Sequence, residues 1–185
     1  AFMEKVEQID QRAPSANPAR YVPSATPKVA AYDFENTEGQ IVFDTENQYD
    51  GTLHDVQIKA IGEDHVLKLD GAGSMQLPFD SLGFPYTVEF DLYLDGEQEE
   101  DAALFSSDDC TIYLNYEDRG LGFVRGKYGF TFDMEIPQDQ WVHIVMTSKA
   151  PHYPGVDDTI VLIGDSWYSA TKISGPGSQK STTSL

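Results

Sequence analysis

The sequence holds a single cysteine, Cys110, among 185 residues. One thiol cannot close an internal disulfide, nor can it build a cysteine-ligated zinc site. Within the alternating run Cys110-Thr111-Ile112-Tyr113-Leu114 it is expected to pack as a small buried hydrophobe. Basic residues are scarce as well: 12 Lys+Arg stand against 31 Asp+Glu, a formal charge of -19. Phosphate neutralisation needs clustered Lys and Arg, so nucleic acid is not an expected partner. The acidic surplus suits a solvated surface and ligands that are neutral or cationic. No apolar run approaches the roughly 20 residues of a membrane-spanning helix, so no membrane partner is expected either. Hydrophobic residues at 40% and aromatics at 12% are enough for a packed core, and the length fits one domain with an appendage.

Phe2, Val6 and Ile9 fall at i, i+4 and i+7, with charged and polar residues between them, which predicts a short amphipathic helix over 1–13. A helix this short is marginal alone. It is expected to be the tail of a preceding domain, or else a helix that docks on the domain C-terminal to it. Pro14, Pro18, Pro23 and Pro27 then mark an extended linker over 14–28. From Val29 onward the pattern is β. Short or alternating apolar runs fall at 29–34, 39–43, 53–61, 65–69, 74–79, 86–94, 102–105, 110–116, 121–125, 128–134, 141–147, 159–163 and 166–173. Asp50-Gly51, Asp70-Gly71, Asp95-Gly96 and Arg119-Gly120 punctuate them as turns.

The clearest run is Tyr86 to Leu94. Val88, Phe90, Leu92 and Leu94 point one way, and Thr87, Glu89, Asp91 and Tyr93 the other. Gly164-Asp165 suits the type II′ corner of a hairpin, and Gly122, Gly126 and Gly129 suggest bulges or close backbone approach. Short strands joined by tight turns predict an all-β fold, an antiparallel sandwich or barrel over 29–173. The polar stretch 174–185 is expected to be a flexible tail or the truncated last part of the domain.

Several phrases, in this order and spacing, resemble one family. They are Tyr32-Asp33-Phe34-Glu35; Asp44, Asn47 and Tyr49-Asp50-Gly51-Thr52-Leu53; Leu67-Lys68-Leu69-Asp70-Gly71; Met75-Gln76-Leu77-Pro78; Tyr86-Thr87-Val88-Glu89-Phe90; and Trp141-Val142-His143-Ile144-Val145-Met146-Thr147 before the hairpin. Over about residues 30 to 173 the chain is similar to the laminin-G/concanavalin A-like jelly roll in its bacterial form. The resemblance implies an antiparallel β-sandwich jelly roll, appended to a secreted or cell-surface glycoside hydrolase, with the wording from Asp44 to Leu94 closest to β-N-acetylhexosaminidase modules. It also implies a closing strand that this chain lacks, so a fragment with an open edge at 31–35 is expected.

The function so implied is a non-catalytic, carbohydrate-binding accessory module, with a glycan and the preceding catalytic domain as partners. The alternative is a structural spacer or protein-interaction module that binds no sugar. A glucanase is the third reading. Glucanases of this architecture place Glu-x-Asp-x-(x)-Glu on one strand; Glu89 and Asp91 supply two positions, but the third is Tyr93 or Leu94, so the acid/base is missing and no activity is expected of this segment. Sugar binding needs aromatic planes beside groups that bond hydroxyls. The outward candidates are Tyr93, Tyr113, Asn115, Arg125 and Tyr128, with Trp167 and Tyr168 on the hairpin. Trp141 is expected in the core, with His143 beside it as a satisfied core histidine. Asp44, Asn47 and Asp50 form either a calcium site or a structural turn, and the acidic runs 95–101 and 108–109 also offer hard oxygen ligands.

Overall fold

The structure is a computed structural model that describes residues 29–79, 82, 84–149 and 158–175. The helix expected over 1–13, the linker over 14–28 and the tail beyond 175 lie outside these. Every regular element among the described residues is a strand, and all four sheets are antiparallel. The described residues divide into two compact units, 29–79 and 82–175.

In the first unit, β1 (Thr37–Glu38), β2 (Ile41–Val42), β3 (Gly51–His54) and β6 (Ser74–Gln76) pair in the order β1-β2-β3-β6. A separate hairpin joins β4 (Gln57–Ile61) to β5 (Asp64–Lys68) through Gly62, whose φ is 66°. The run 53–61, expected as one strand, breaks at Asp55, which takes a left-handed φ of 51°. The strand expected at 29–34, and the open edge at 31–35, are not there. The backbone at that point bonds to a turn instead: the Ala31 N–H donates to Asp44 Oδ1 at 2.7 Å, and the Thr45 N–H to the Ala31 carbonyl at 2.8 Å.

The second unit is a β-sandwich. One sheet runs β14 (Ser166–Ser169), β13 (Ile160–Ile163), β12 (Trp141–Ser148), β7 (Tyr86–Tyr93). The other runs β15 (Thr171–Ser174), β11 (Tyr128–Thr131), β10 (Gly122–Arg125), β9 (Cys110–Tyr113), β8 (Ala103–Ser106). Both sheets feed one core, in which Val142, Ile144 and Met146 of β12 meet Ile112, Phe123 and Phe130. Burying each such side chain contributes about 1.5–3 kcal/mol. Cys110 packs against this core half-buried. The run 166–173, expected as one strand, is two: β14 belongs to the first sheet and β15 to the second, and the chain changes sheets at Ala170, whose N–H donates to the Thr159 carbonyl at 3.0 Å. Such crossings close the corners of a sandwich.

Two glycines owe their identity to a tyrosine. Tyr116 is buried, lies over Gly122 and Gly129, and shares a 3.2 Å hydrogen bond between its hydroxyl and Ser174 Oγ. A Cβ on Gly122 would stand 2.6 Å from the Phe130 carbonyl oxygen and 2.8 Å from Tyr116 Cβ. The backbone oxygen cannot step aside as a side-chain tip can. Gly122→Ala is expected to cost about 2 kcal/mol, read as a lower urea midpoint; an unchanged midpoint would mean that strand β10 shifts freely.

Candidate functional site

The outer face of the β7–β12 sheet collects a group of polar and aromatic side chains. The two strands pair over eight residues, which sets Glu89 opposite Val145, Asp91 opposite His143, and Tyr93 opposite Trp141. Val145 in turn pairs with Leu162 on β13, and Leu162 with Trp167 on β14. Cross-strand partners share a face, so Glu89, Val145, Leu162 and Trp167 form one row. Trp167 stands about 14 Å from Glu89 across the strands, and the Tyr93–Trp141 row lies about 14 Å further along them. Val145 is buried, whereas Trp167 is 55% exposed.

His143 is the centre of the face. Its Nδ1 lies 2.8 Å from Asp91 Oδ1 and its Nε2 3.3 Å from Glu89 Oε1. The carboxylates belong to residues two apart on one strand, with about 7 Å between their Cα atoms, so the imidazole reaches both from the neighbouring strand. A neutral imidazole carries one N–H. In either tautomer, therefore, one carboxylate at a time accepts from the ring. Asp91 is 69% exposed, Glu89 43% and His143 28%. Beyond them Thr87 and Thr147 share a hydroxyl hydrogen bond at 3.2 Å, and the Tyr93 and Trp141 rings pack at 5.7 Å.

Two expectations are corrected here. Trp141 is not in the core; it lies half-buried on the outer face against Tyr93. His143 is satisfied, but on that same outer face. The run Trp141-Val142-His143-Ile144-Val145-Met146 is apolar at both parities, so alternation alone could not say which side turned inward. Val142, Ile144 and Met146 turn into the core between the sheets, and Val145, on the other parity, is buried as well.

The other candidates do not converge on this face. Tyr113 lies on the outer side of the second sheet, stacked on Tyr116 with centroids 5.3 Å apart. Asn115 serves its own turn: its Nδ2 donates to Asp118 Oδ1 at 3.2 Å, and its Oδ1 accepts the Gly120 N–H at 3.3 Å. Arg125 and Tyr128, expected outward, share the parity of the core residues Phe123 and Phe130. Arg125 caps the core's end, donating from Nη2 to the Tyr86 hydroxyl at 2.7 Å, with its guanidinium 5.1 Å from the Phe123 ring and 5.2 Å from the Phe84 ring. Tyr128 packs against the core, with the Lys127 and Lys172 ammonium groups each 5.7 Å from its ring centre. Tyr168 also packs against the core.

Asp44 is a buried anchor, only 1% exposed. Its Oδ1 accepts the N–H groups of Ala31 (2.7 Å) and Glu46 (3.0 Å), and its Oδ2 those of Gln48 (3.2 Å) and Tyr49 (3.0 Å). Asp50 Oδ1 accepts the Asp44 N–H at 3.0 Å, and Asn47, with φ at 58°, bonds the Thr45 carbonyl. The Tyr32 hydroxyl donates to the Tyr49 carbonyl; burial, and then the Asp44 and Asp50 carboxylates, push its pKa up to about 12. Asp44 thus serves as the hydrogen-bonding centre of the turn that holds Asn47 and Asp50. Both Asp44 oxygens face backbone donors, two on each. Asp44 and Asn47 also border an open hollow of about 420 Å³ with Asn36, Phe43 and Thr45. Among the described residues, no three His, Cys, Asp or Glu side chains are grouped so as to hold a metal ion.

No family model, curated protein or solved structure matches the chain.

Proposed function

We propose that the second unit is a non-catalytic carbohydrate-binding module, an accessory part of a secreted bacterial glycoside hydrolase of the β-N-acetylhexosaminidase kind. The observation that supports it is the outer face of the β7–β12 sheet, where Trp167 and the Tyr93–Trp141 pair flank Glu89, His143 and Asp91. Pyranose rings offer apolar C–H faces that stack on aromatic planes, and hydroxyls that bond carboxylates and imidazole. A pleated sheet holds these groups rigidly, so little ordering entropy is lost on binding.

A panel of oligosaccharides tested by calorimetry decides the matter. Trp167→Ala is expected to weaken binding about tenfold or more, Tyr93→Ala less, and Tyr113→Ala not at all, with chelator making no difference. If the folded protein binds no sugar, or if Trp167→Ala leaves affinity unchanged, the module is a spacer or a protein-interaction surface instead.

A further inference from the structure

We propose that Asp70-Gly71 is a site of spontaneous isoaspartate formation, singled out by the fold from among three Asp-Gly pairs, at 50–51, 70–71 and 95–96. In such a pair the amide nitrogen of the glycine attacks the side-chain carbonyl carbon of the aspartate. The new C–N bond closes a succinimide ring, and the carboxyl hydroxyl leaves with the amide proton as water. Water then adds back at either ring carbonyl. Cleaving the C–N bond at the side-chain carbon restores aspartate. Cleaving it at the main-chain carbon leaves a backbone that runs through Cβ and Cγ, with the composition unchanged. Glycine favours the attack because no Cβ crowds its nitrogen and its dihedrals are free. The step is intramolecular, so the placing of the carboxyl against that nitrogen governs its rate.

The fold treats the three pairs differently. Asp70 and Gly71 are both exposed, in the bend between β5 and β6. The Ala72 N–H donates to Asp70 Oδ1 at 3.2 Å, which curls the carboxyl back beside the Asp70–Gly71 peptide. Gly71 takes a φ of 87°, and a Cβ there would meet nothing within 4 Å, so the ring has room to close. Asp50 is held elsewhere: its Oδ1 accepts the Asp44 N–H at 3.0 Å, and Gly51 is buried in β3 opposite Val42. Asp95-Gly96 stands between these cases. Gly96 is half-buried, its carbonyl accepts from Gln98 Nε2 at 3.1 Å, and the Leu94 carbonyl accepts the Asp139 N–H at 2.9 Å. Ring closure must turn the glycine peptide, and these tethers on either side resist it.

The isoaspartyl link adds one backbone atom three residues before Gly73. Gly73 lies so close to the end of β3 that a Cβ on it would stand 2.3 Å from the Asp55 carbonyl oxygen. Pairing of β6 with β3 begins at the next residue, with Ser74 opposite His54. A lengthened chain does not fit that approach, so the modified protein is expected to lose amide protection in β3 and β6.

The test stores the whole chain in warm neutral buffer, native and in urea, and locates isoaspartate by peptide mapping with electron-transfer fragmentation. In the native protein it is expected at 70 several-fold above 95, with 50 at background. In urea the three positions are expected to reach similar levels. No isoaspartate at 70, or as much at 50 or 95 in the native protein, would overturn the proposal. The same ranking in urea would also overturn it, by making the choice a property of local sequence. Asp70→Ser has no carboxyl, yet its hydroxyl suits the same turn. It is expected to keep the β3 and β6 protection that the stored parent loses; equal loss in the two would overturn the structural consequence.

Discussion

Asp44→Asn should loosen the first unit by about 3 kcal/mol, although the two side chains have nearly the same shape. The carboxylate accepts four backbone N–H groups, two on each oxygen. An amide offers only one oxygen, so two of those donors would face an NH2 group in a buried place. Hydrogen bonds to a charged acceptor contribute about 1.5–3 kcal/mol each, and a buried donor left unpaired costs about 1–3 kcal/mol. Because neighbouring losses do not add, the total falls near the figure given.

The same contacts set a pH dependence. Burial pushes the Asp44 pKa up, but the N–H groups of Ala31, Glu46, Gln48 and Tyr49 together outweigh it and hold the carboxyl below its ordinary value. A depressed folded-state value means the stabilisation is present above the ordinary carboxylate range and is lost as pH falls through the lower, folded-state value. Hydrogen exchange at those four amides is the suitable measurement. Protection should persist through the ordinary carboxylate range and collapse only in stronger acid in the parent, and be weak at every pH in Asp44→Asn. Equal protection in the two proteins would remove Asp44 as the anchor. Tryptophan fluorescence would not report this, since both tryptophans, Trp141 and Trp167, belong to the second unit.

In that second unit the largest single loss should come from Phe123→Ala, about 3–5 kcal/mol. Phe123 is 1% exposed, stacks on Phe130 with centroids 4.9 Å apart, and meets Phe132 at 5.8 Å. Arg125 lies over the same ring and holds Tyr86, so the truncation also removes the apolar support beneath a guanidinium at the core's end. Phe123→Leu keeps most of the volume and should cost under about 1.5 kcal/mol. Urea unfolding followed by tryptophan fluorescence measures both. A small effect of the alanine variant would mean that the core repacks into the space.

Much of the fold was legible where one physical signal dominated. The alternation over 86–94 reported a half-buried strand because its two faces differ sharply in polarity, and Gly164, with φ at 58°, turns the expected hairpin. The glycines at 122 and 129 marked close approach because no other residue leaves that space. Local pattern failed where a distant partner decided the outcome. Residues 29–34 look like a strand, yet Asp44 takes the Ala31 N–H that a ladder would have used. The runs 53–61 and 166–173 read as continuous because no glycine or proline interrupts them, although the first turns at Asp55 and the second changes sheets at Ala170. The Glu89–His143–Asp91 trio stayed hidden for a related reason. Its members come together only once the register of β7 against β12 is known, and no spacing within either strand carries that information.

That register also dictates when the face can come into being. Strands β8 to β11 succeed one another along the chain and pair with their immediate successors. By contrast, β7 and β12 partners lie roughly 50 to 60 positions apart, and closing so long a loop is entropically slower than zipping a hairpin. A nascent chain therefore carries Glu89 and Asp91 for the whole time that β8 to β11 are being made, before His143 arrives to meet them. The face is a product of the final closure, and a chain cut between the two strands would own every hairpin among β8 to β11 but no Glu89–His143–Asp91 trio.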